Sequence, residues 1–150
     1  MGLDMYLYKK TYVKQWDHNK PEDQFQVSVK RGGKAYKAIN PKLICFITEE
    51  VGYWRKFNAL HNWIITNCAE GVDDCKEVYV EMSSLEDLLT ILHNVQLHNE
   101  DADRLFPTAD GFFFGPVEYG EYYFEQVSET IELLEQLIQE PGDYYYRASW

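Results

Sequence analysis

Residues 41–68, PKLICFITEEVGYWRKFNALHNWIITNC, are the stretch on which the fold turns. Apolar side chains recur there at alternating steps of three and four: Ile44, Ile47, Val51 and Trp54, then Ile65 and Cys68. Such spacing is the seam of an amphipathic helix. Asn40 stands where an N-cap would, and Pro41 suits the first helical position. The stretch is therefore expected to form one long central helix. At its normal rise it would span roughly 42 Å and touch most other elements. Ile44, Ile47, Val51, Trp54, Phe57, Leu60 and Ile64 are expected to be mostly buried along it. Asn58 and His61 occupy seam positions where two further apolar residues would fit.

Strand patterns lie on both sides of this stretch. In LDMYLYKKTYV at the N-terminus, Leu3, Met5 and Leu7 alternate with Asp4, Tyr6 and Tyr8, the mark of a strand with one buried face. Residues 24–30, QFQVSVK, alternate again, with Phe25, Val27 and Val29 expected inward. Gly32-Gly33 then makes a tight hairpin turn, and residues 34–39 return as a short strand. The GGK triplet lacks the frame of a phosphate loop and a following helix, so it is read as the hairpin. After the central helix, which Gly71 can end, KEVYVEM over residues 76–82 is another alternating strand.

A second helix follows, capped by Ser83 or Ser84, with Leu85, Leu88, Leu89, Leu92 and Val95 on its apolar face. Residues 98–109 are loop, and DGFFFG over residues 110–115 is either a buried strand or an aromatic loop. The third helix covers roughly residues 119–139, with Tyr123, Val127, Ile131, Leu134 and Ile138 as its stripe. Pro141-Gly142 stops it, and DYYYRASW reads as a last strand. The expected fold is a single α+β domain over residues 1–150, in which a largely antiparallel sheet packs against the long central helix and two further helices.

Charge is divided unevenly along the chain. The net charge is −11. Residues 1–42 carry nine Lys/Arg and four Asp/Glu, and residues 43–150 carry five and twenty-one. No Lys or Arg lies between Leu105 and Tyr146. A field of that sign repels nucleic acid and attracts basic partners, although an acidic surface also serves plain solubility. Aromatic residues make up 16% of the chain, with 12 Tyr, which suits a surface part apolar and part wet. No apolar run is long enough to span a membrane, and the N-terminus has neither a signal-peptide core nor a myristoylation pattern. The three cysteines, Cys45, Cys68 and Cys75, form no C-x-x-C pair. That spacing argues against a disulfide framework or zinc site and for a cytoplasmic protein, with Cys45 and Cys68 as buried thiols of the helix.

Taken together, MGLDMYL, EEVGYWRKFNALHNW, GVDDC, LFPTADGFFFGPVEYGEYYFE and the terminal YYYRASW resemble a family of small uncharacterised proteins of bacteriophages and bacterial genomes. The resemblance spans nearly the whole chain. It implies a phage or prophage setting, a single domain and the cytoplasm of the bacterial host cell, and it carries no activity to transfer. Gly120 departs from the family pattern, which has an acidic residue there, and so removes support for two adjacent carboxylates.

Two constellations are candidate sites. Trp54, Asn58 and His61 are spaced four and three, which stacks them on one face of the expected helix. A histidine there could be a general acid or base. The plainer reading is a core histidine and asparagine whose polar groups are satisfied. In the aromatic-acidic segment from Phe112 to Glu125, GFFFG is followed by Tyr119, Glu121, Tyr122, Tyr123 and Glu125, which set carboxylates beside rings, a combination suited to a basic partner. The plainer reading there is core phenylalanines flanked by tyrosines. His93 and His98 miss the spacing of paired helical ligands, so neither a metal nor another cofactor is expected.

The chain is thus expected to be a non-enzymatic binding module with an acidic, aromatic surface, one that inhibits a host factor. Its expected partner is a basic host protein or a small ligand, with no nucleic acid and no membrane. The alternative is a small enzyme or ligand-binding protein with a pocket around Trp54, Asn58, His61 and the segment 119–125.

Overall fold

The computed structural model of the chain describes residues 2–150. Strand β1 (Asp4–Tyr12) comes first. A short arm follows, carrying the two-residue strands β2 (Lys30–Arg31) and β3 (Lys34–Ala35). Next are β4 (Phe46–Arg55), α1 (Asn58–Cys68), β5 (Val78–Val80) and α2 (Met82–Leu97). The chain closes with the one-turn α3 (Ala102–Leu105), α4 (Glu121–Leu137) and β6 (Asp143–Ser149). The main sheet has four strands in the order β4-β1-β6-β5, and every neighbouring pair is antiparallel. The α+β class and the antiparallel sheet are as the sequence predicts.

The long central helix is not. Residues 46–55 are a strand paired with β1 along its whole length, and helix begins only at Asn58. The stretch FITEEVGYWR is rich in β-branched and aromatic residues, which fit a pleated surface better than a helix interior. Asn40 does cap, accepting from the Lys42 amide, but the turn it caps is a three-residue 3₁₀ turn, Pro41–Leu43. Lys56 at φ +57° makes the corner between strand and helix. Trp54, Phe57, Leu60 and Ile64 are buried as expected. Ile47 is 42% exposed, while Ile44 and Val51 are half-buried. Cys45 lies outside any helix, and all three thiols are half-buried.

β1 sets the two faces of the sheet. Leu3, Met5 and Leu7 point inward with Gly52, Trp54, Val80, Tyr144, Tyr146 and Ala148, and all are buried. Each large apolar side chain in that layer contributes about 1.5–3 kcal/mol. The helices cover this face. α2 packs on α4 through Leu85, Leu88, Leu89, Leu92 and Val95 on one side and Tyr123, Val127, Ile131 and Leu134 on the other. Gly52 is required by this packing, since a Cβ there would sit 2.7 Å from Cη2 of Trp54 and 2.9 Å from Cδ2 of Leu133.

The arm is looser than its sequence suggests. Gly32 and Gly33, both at positive φ, make the expected turn, but the ladder stops after two pairs. Residues 24–29 form no strand, and Phe25 is 51% exposed. A hairpin with no third strand and no helix beneath it has too little burial to hold more of its ladder. Residues 110–115 form an aromatic turn rather than a strand, and the second helix starts at Met82 without a side-chain cap.

Candidate functional site

The break between β4 and α1 sends Trp54, Asn58 and His61 to three different places. The Trp54 indole donates to Oγ1 of Thr130 on α4 at 2.9 Å, and that hydroxyl donates to the Gln126 carbonyl. Asn58 holds the aromatic turn. Its Nδ2 donates to the carbonyls of Phe114 (3.1 Å) and Pro116 (2.8 Å), and its Oδ1 accepts from the Ala109 amide (3.1 Å). His61, 2% exposed, bridges Tyr146 and Asp73, with Nδ1 2.7 Å from the Tyr146 hydroxyl and Nε2 3.0 Å from Asp73 Oδ2. Trp150 donates to the other oxygen of Asp73 at 3.4 Å.

Burial, helped by Asp73 and Cys75, holds the Tyr146 hydroxyl well above the usual phenol range, so it keeps its proton and donates to Nδ1. Nε2–H then donates to Asp73 Oδ2, and every group is satisfied. Phe114 seals the cluster, its ring edge-on to His61 at 5.2 Å and 6.0 Å from the ring of Trp150. No buried side-chain nitrogen or oxygen among the described residues lacks a partner.

The segment 119–125 does not complete a pocket with these residues. Tyr119 accepts from the Thr108 amide at 3.0 Å and packs on Tyr123. Tyr122 donates to the Arg55 carbonyl, and Glu121 and Glu125 face solvent. None of the five main hollows of the described residues is lined by His61, Glu121 or Glu125. The hollow between Asn58 and Tyr122 measures about 10 Å³, room for one water at most. A wider groove of about 610 Å³ lies beyond the edge strand β5, lined by Asn67, Cys68, Val72, Tyr79 and Ser84. Burial pushes the Cys68 thiol up, which makes it a poor nucleophile.

The open face of the sheet carries the more distinctive chemistry. Tyr6 and Tyr8 of β1, Tyr53 of β4, Tyr145 of β6 and Tyr79 of β5 all lie there, half-buried or exposed. Register aligns Tyr53, Tyr6 and Arg147 in one row and Tyr8, Tyr145 and Tyr79 in the next. Ring centroids are 5.3 Å apart for Tyr6 and Tyr53, 6.0 Å for the stacked Tyr6 and Tyr8, and 5.4 Å for Tyr79 and Tyr145. Lys10 lies over the Tyr145 ring, 4.3 Å from its centroid, and pairs with Glu77.

Carboxylates frame the platform. Tyr8 is raised by burial and then by Glu50, and Tyr79 by burial and then by Asp143 and Glu81. Tyr53 is raised by donating to Asp4 at 2.6 Å. The phenols therefore stay protonated at neutral pH. Arg55 lies 3.7 Å from Asp4, whereas Arg147 forms no ion pair with any described residue. Arg147 closes a shallow notch of about 150 Å³ with Tyr6 and Tyr8. At the end of the β1–β4 ladder, beyond the Lys10–Thr48 pair, Tyr12 and Phe46 form a second aromatic group, 5.1 Å apart, and Trp16 donates to the Tyr12 hydroxyl.

The sequence contains part of the signal for this platform, since Tyr6 and Tyr8 alternate with Met5 and Leu7 and Tyr79 stands between Val78 and Val80. Reading residues 46–55 as helix takes Tyr53 out of the sheet and hides the assembled rows. No group of described residues has the makings of a metal site, and no described helix is long and apolar enough to cross a membrane. No protein-family model, curated protein or solved structure matches the chain.

Proposed function

We propose that this protein is a non-enzymatic binding module whose working surface is the open tyrosine face, and that its partner is a basic protein. The observation that carries the reading is the platform of Tyr6, Tyr8, Tyr53, Tyr79 and Tyr145 framed by Glu50, Glu77, Glu81 and Asp143. Tyrosine offers large contact area with little side-chain entropy to lose, and is enriched where interfaces hold most of their energy. Its ring face attracts cations. Lys10 over Tyr145 is an internal instance of the contact that a partner's lysine or arginine would make on the neighbouring rings. In the phage setting implied by the resemblance, the partner is a host protein in the bacterial cytoplasm that the module blocks.

The test is binding of an arginine-rich peptide, measured by calorimetry against two sets of variants. Tyr53→Ser with Tyr79→Ser removes two exposed rings and should weaken binding at least about tenfold, the scale of an interface anchor. Glu129→Gln with Glu132→Gln changes the same sign of charge on α4 and should leave affinity nearly unchanged. The opposite pattern would move the binding surface to the helix and end this reading.

A further inference from the structure

We propose that the tyrosine face of one copy is covered by the basic arm of a second copy, in a two-fold dimer whose sheets meet face to face. The proposal rests on the reading of that face as the working surface. Its independent observation is the arm itself, residues 14–45. None of the described residues from 14 to 51 is buried. Trp16, Phe25, Ile39 and Leu43 are 46%, 51%, 43% and 68% exposed. A segment with that much apolar surface and no cover is the mark of an interface.

Charge decides what covers it. The arm carries seven Lys/Arg and three Asp/Glu, and the rest of the chain carries seven and twenty-two. The surface that complements the arm is therefore present in every copy of the same chain. The tyrosine face fits best, because it joins rings to carboxylates, whereas the outer side of α4 offers carboxylates almost alone.

Geometry allows the exchange to be mutual. Val13 donates to the Cys45 carbonyl at 2.8 Å, so the arm leaves the sheet as a continuation of the β1–β4 ribbon. Two aromatic groups lie along that ribbon, Tyr53, Tyr6 and Tyr8 on the platform and Phe46, Tyr12 and Trp16 at its end, with the Lys10–Thr48 pair between them. A two-fold axis in the plane between two such faces, crossing near Tyr12, sets each arm over the other platform. The contact is self-complementary and closes at two copies. An arginine-rich partner competes for the same rings, so the dimer and the partner complex exclude each other.

A charge swap tests this by sedimentation equilibrium at low and high salt, with circular dichroism to confirm folding. Lys30→Glu with Lys34→Glu reverses the arm, and Glu50→Lys with Glu81→Lys reverses the face. Each variant alone should dimerise at least about tenfold more weakly than the parent, with the loss greatest at low salt. Mixing the two should restore a heterodimer, because both of its arm-to-face contacts regain opposite charge. A monomeric parent, or a dimer indifferent to both reversals, overturns the inference. So does an oligonucleotide that binds the arm of a monomeric parent and is released by Lys34→Glu. The arm-reversed variant separates the two claims. If it binds the arginine-rich peptide at the tyrosine face while the parent is monomeric, only the dimer has failed. If it does not bind, the reading of the face fails as well.

Discussion

The Tyr146 hydroxyl lies 2.7 Å from Nδ1 of His61, and this one bond ties the first turns of α1 to the middle of β6. Through Nε2 the same imidazole reaches Asp73 in the loop after α1, and Asp73 in turn receives Trp150 near the chain end. A residue that the spacing alone suggests as a proton-transfer group is a strut between three segments. Both ring nitrogens are engaged, and Phe114 covers the ring. Only 2% of His61 is exposed.

Tyr146→Phe therefore leaves Nδ1 buried without its donor. The expected loss is about 1–3 kcal/mol, the penalty for an unsatisfied buried polar group. In urea the midpoint should fall with an unchanged slope, since the same surface is exposed on unfolding. The pH dependence has a definite sign. In the folded protein, burial raises the pKa of Tyr146, with Tyr123 and Tyr144 raised in the same direction. The unfolded chain then loses these protons first, and the folded state binds more of them. Stability is thus full below the ordinary phenol pKa of about 10 and falls as pH rises through it. Midpoints measured across that range should fall less steeply in Tyr146→Phe than in the parent. Equal slopes would remove Tyr146 from the account.

Gly52→Ala tests the strand by the sign of its effect. In a helix interior this change would stabilise by up to about 1 kcal/mol. In β4 the new methyl meets the Trp54 ring and Leu133 at less than contact distance, and overpacking of that kind costs about 1–3 kcal/mol. A lower thermal midpoint is expected, and a raised one would restore the helix.

The bulge beside Gly52, at Val51, explains what could be read from the sequence. In β1, α2 and α4 a single period dominates, and their inward residues are the ones the alternation or the stripe picks out. Residues 41–68 mix two periods. Val51 is passed over where the register shifts opposite Leu7 and Tyr8, and this bulge breaks the strict alternation that would mark a strand. The three-and-four spacing seen there comes from joining a bulged strand to a helix. Trp54, Asn58 and His61 therefore share a sequence pattern without sharing a site. The tyrosine face, which needs β4 beside β1, could not be assembled from the strands one at a time.

Asn58 gives the last prediction, because its amide is used at every atom that can make a bond to the aromatic turn. Asn58→Ala removes two donor bonds and one acceptor bond. It leaves the carbonyls of Phe114 and Pro116 and the amide of Ala109 to find water, and a loss of about 2–4 kcal/mol follows from about 1 kcal/mol per bond with a buried group unsatisfied. Asn58→Asp is the sharper test. It keeps an acceptor for Ala109 but turns a carboxylate oxygen toward two carbonyls, so it should be no better than alanine despite its shape. Both variants should loosen the turn before the whole fold. Phe112, 95% exposed at its tip, should then be cut faster by chymotrypsin, and the Ala109 amide should exchange faster with solvent. An aspartate variant as stable as the parent would mean that the Asn58 amide does not face these carbonyls, and that some other contact holds the turn against α1.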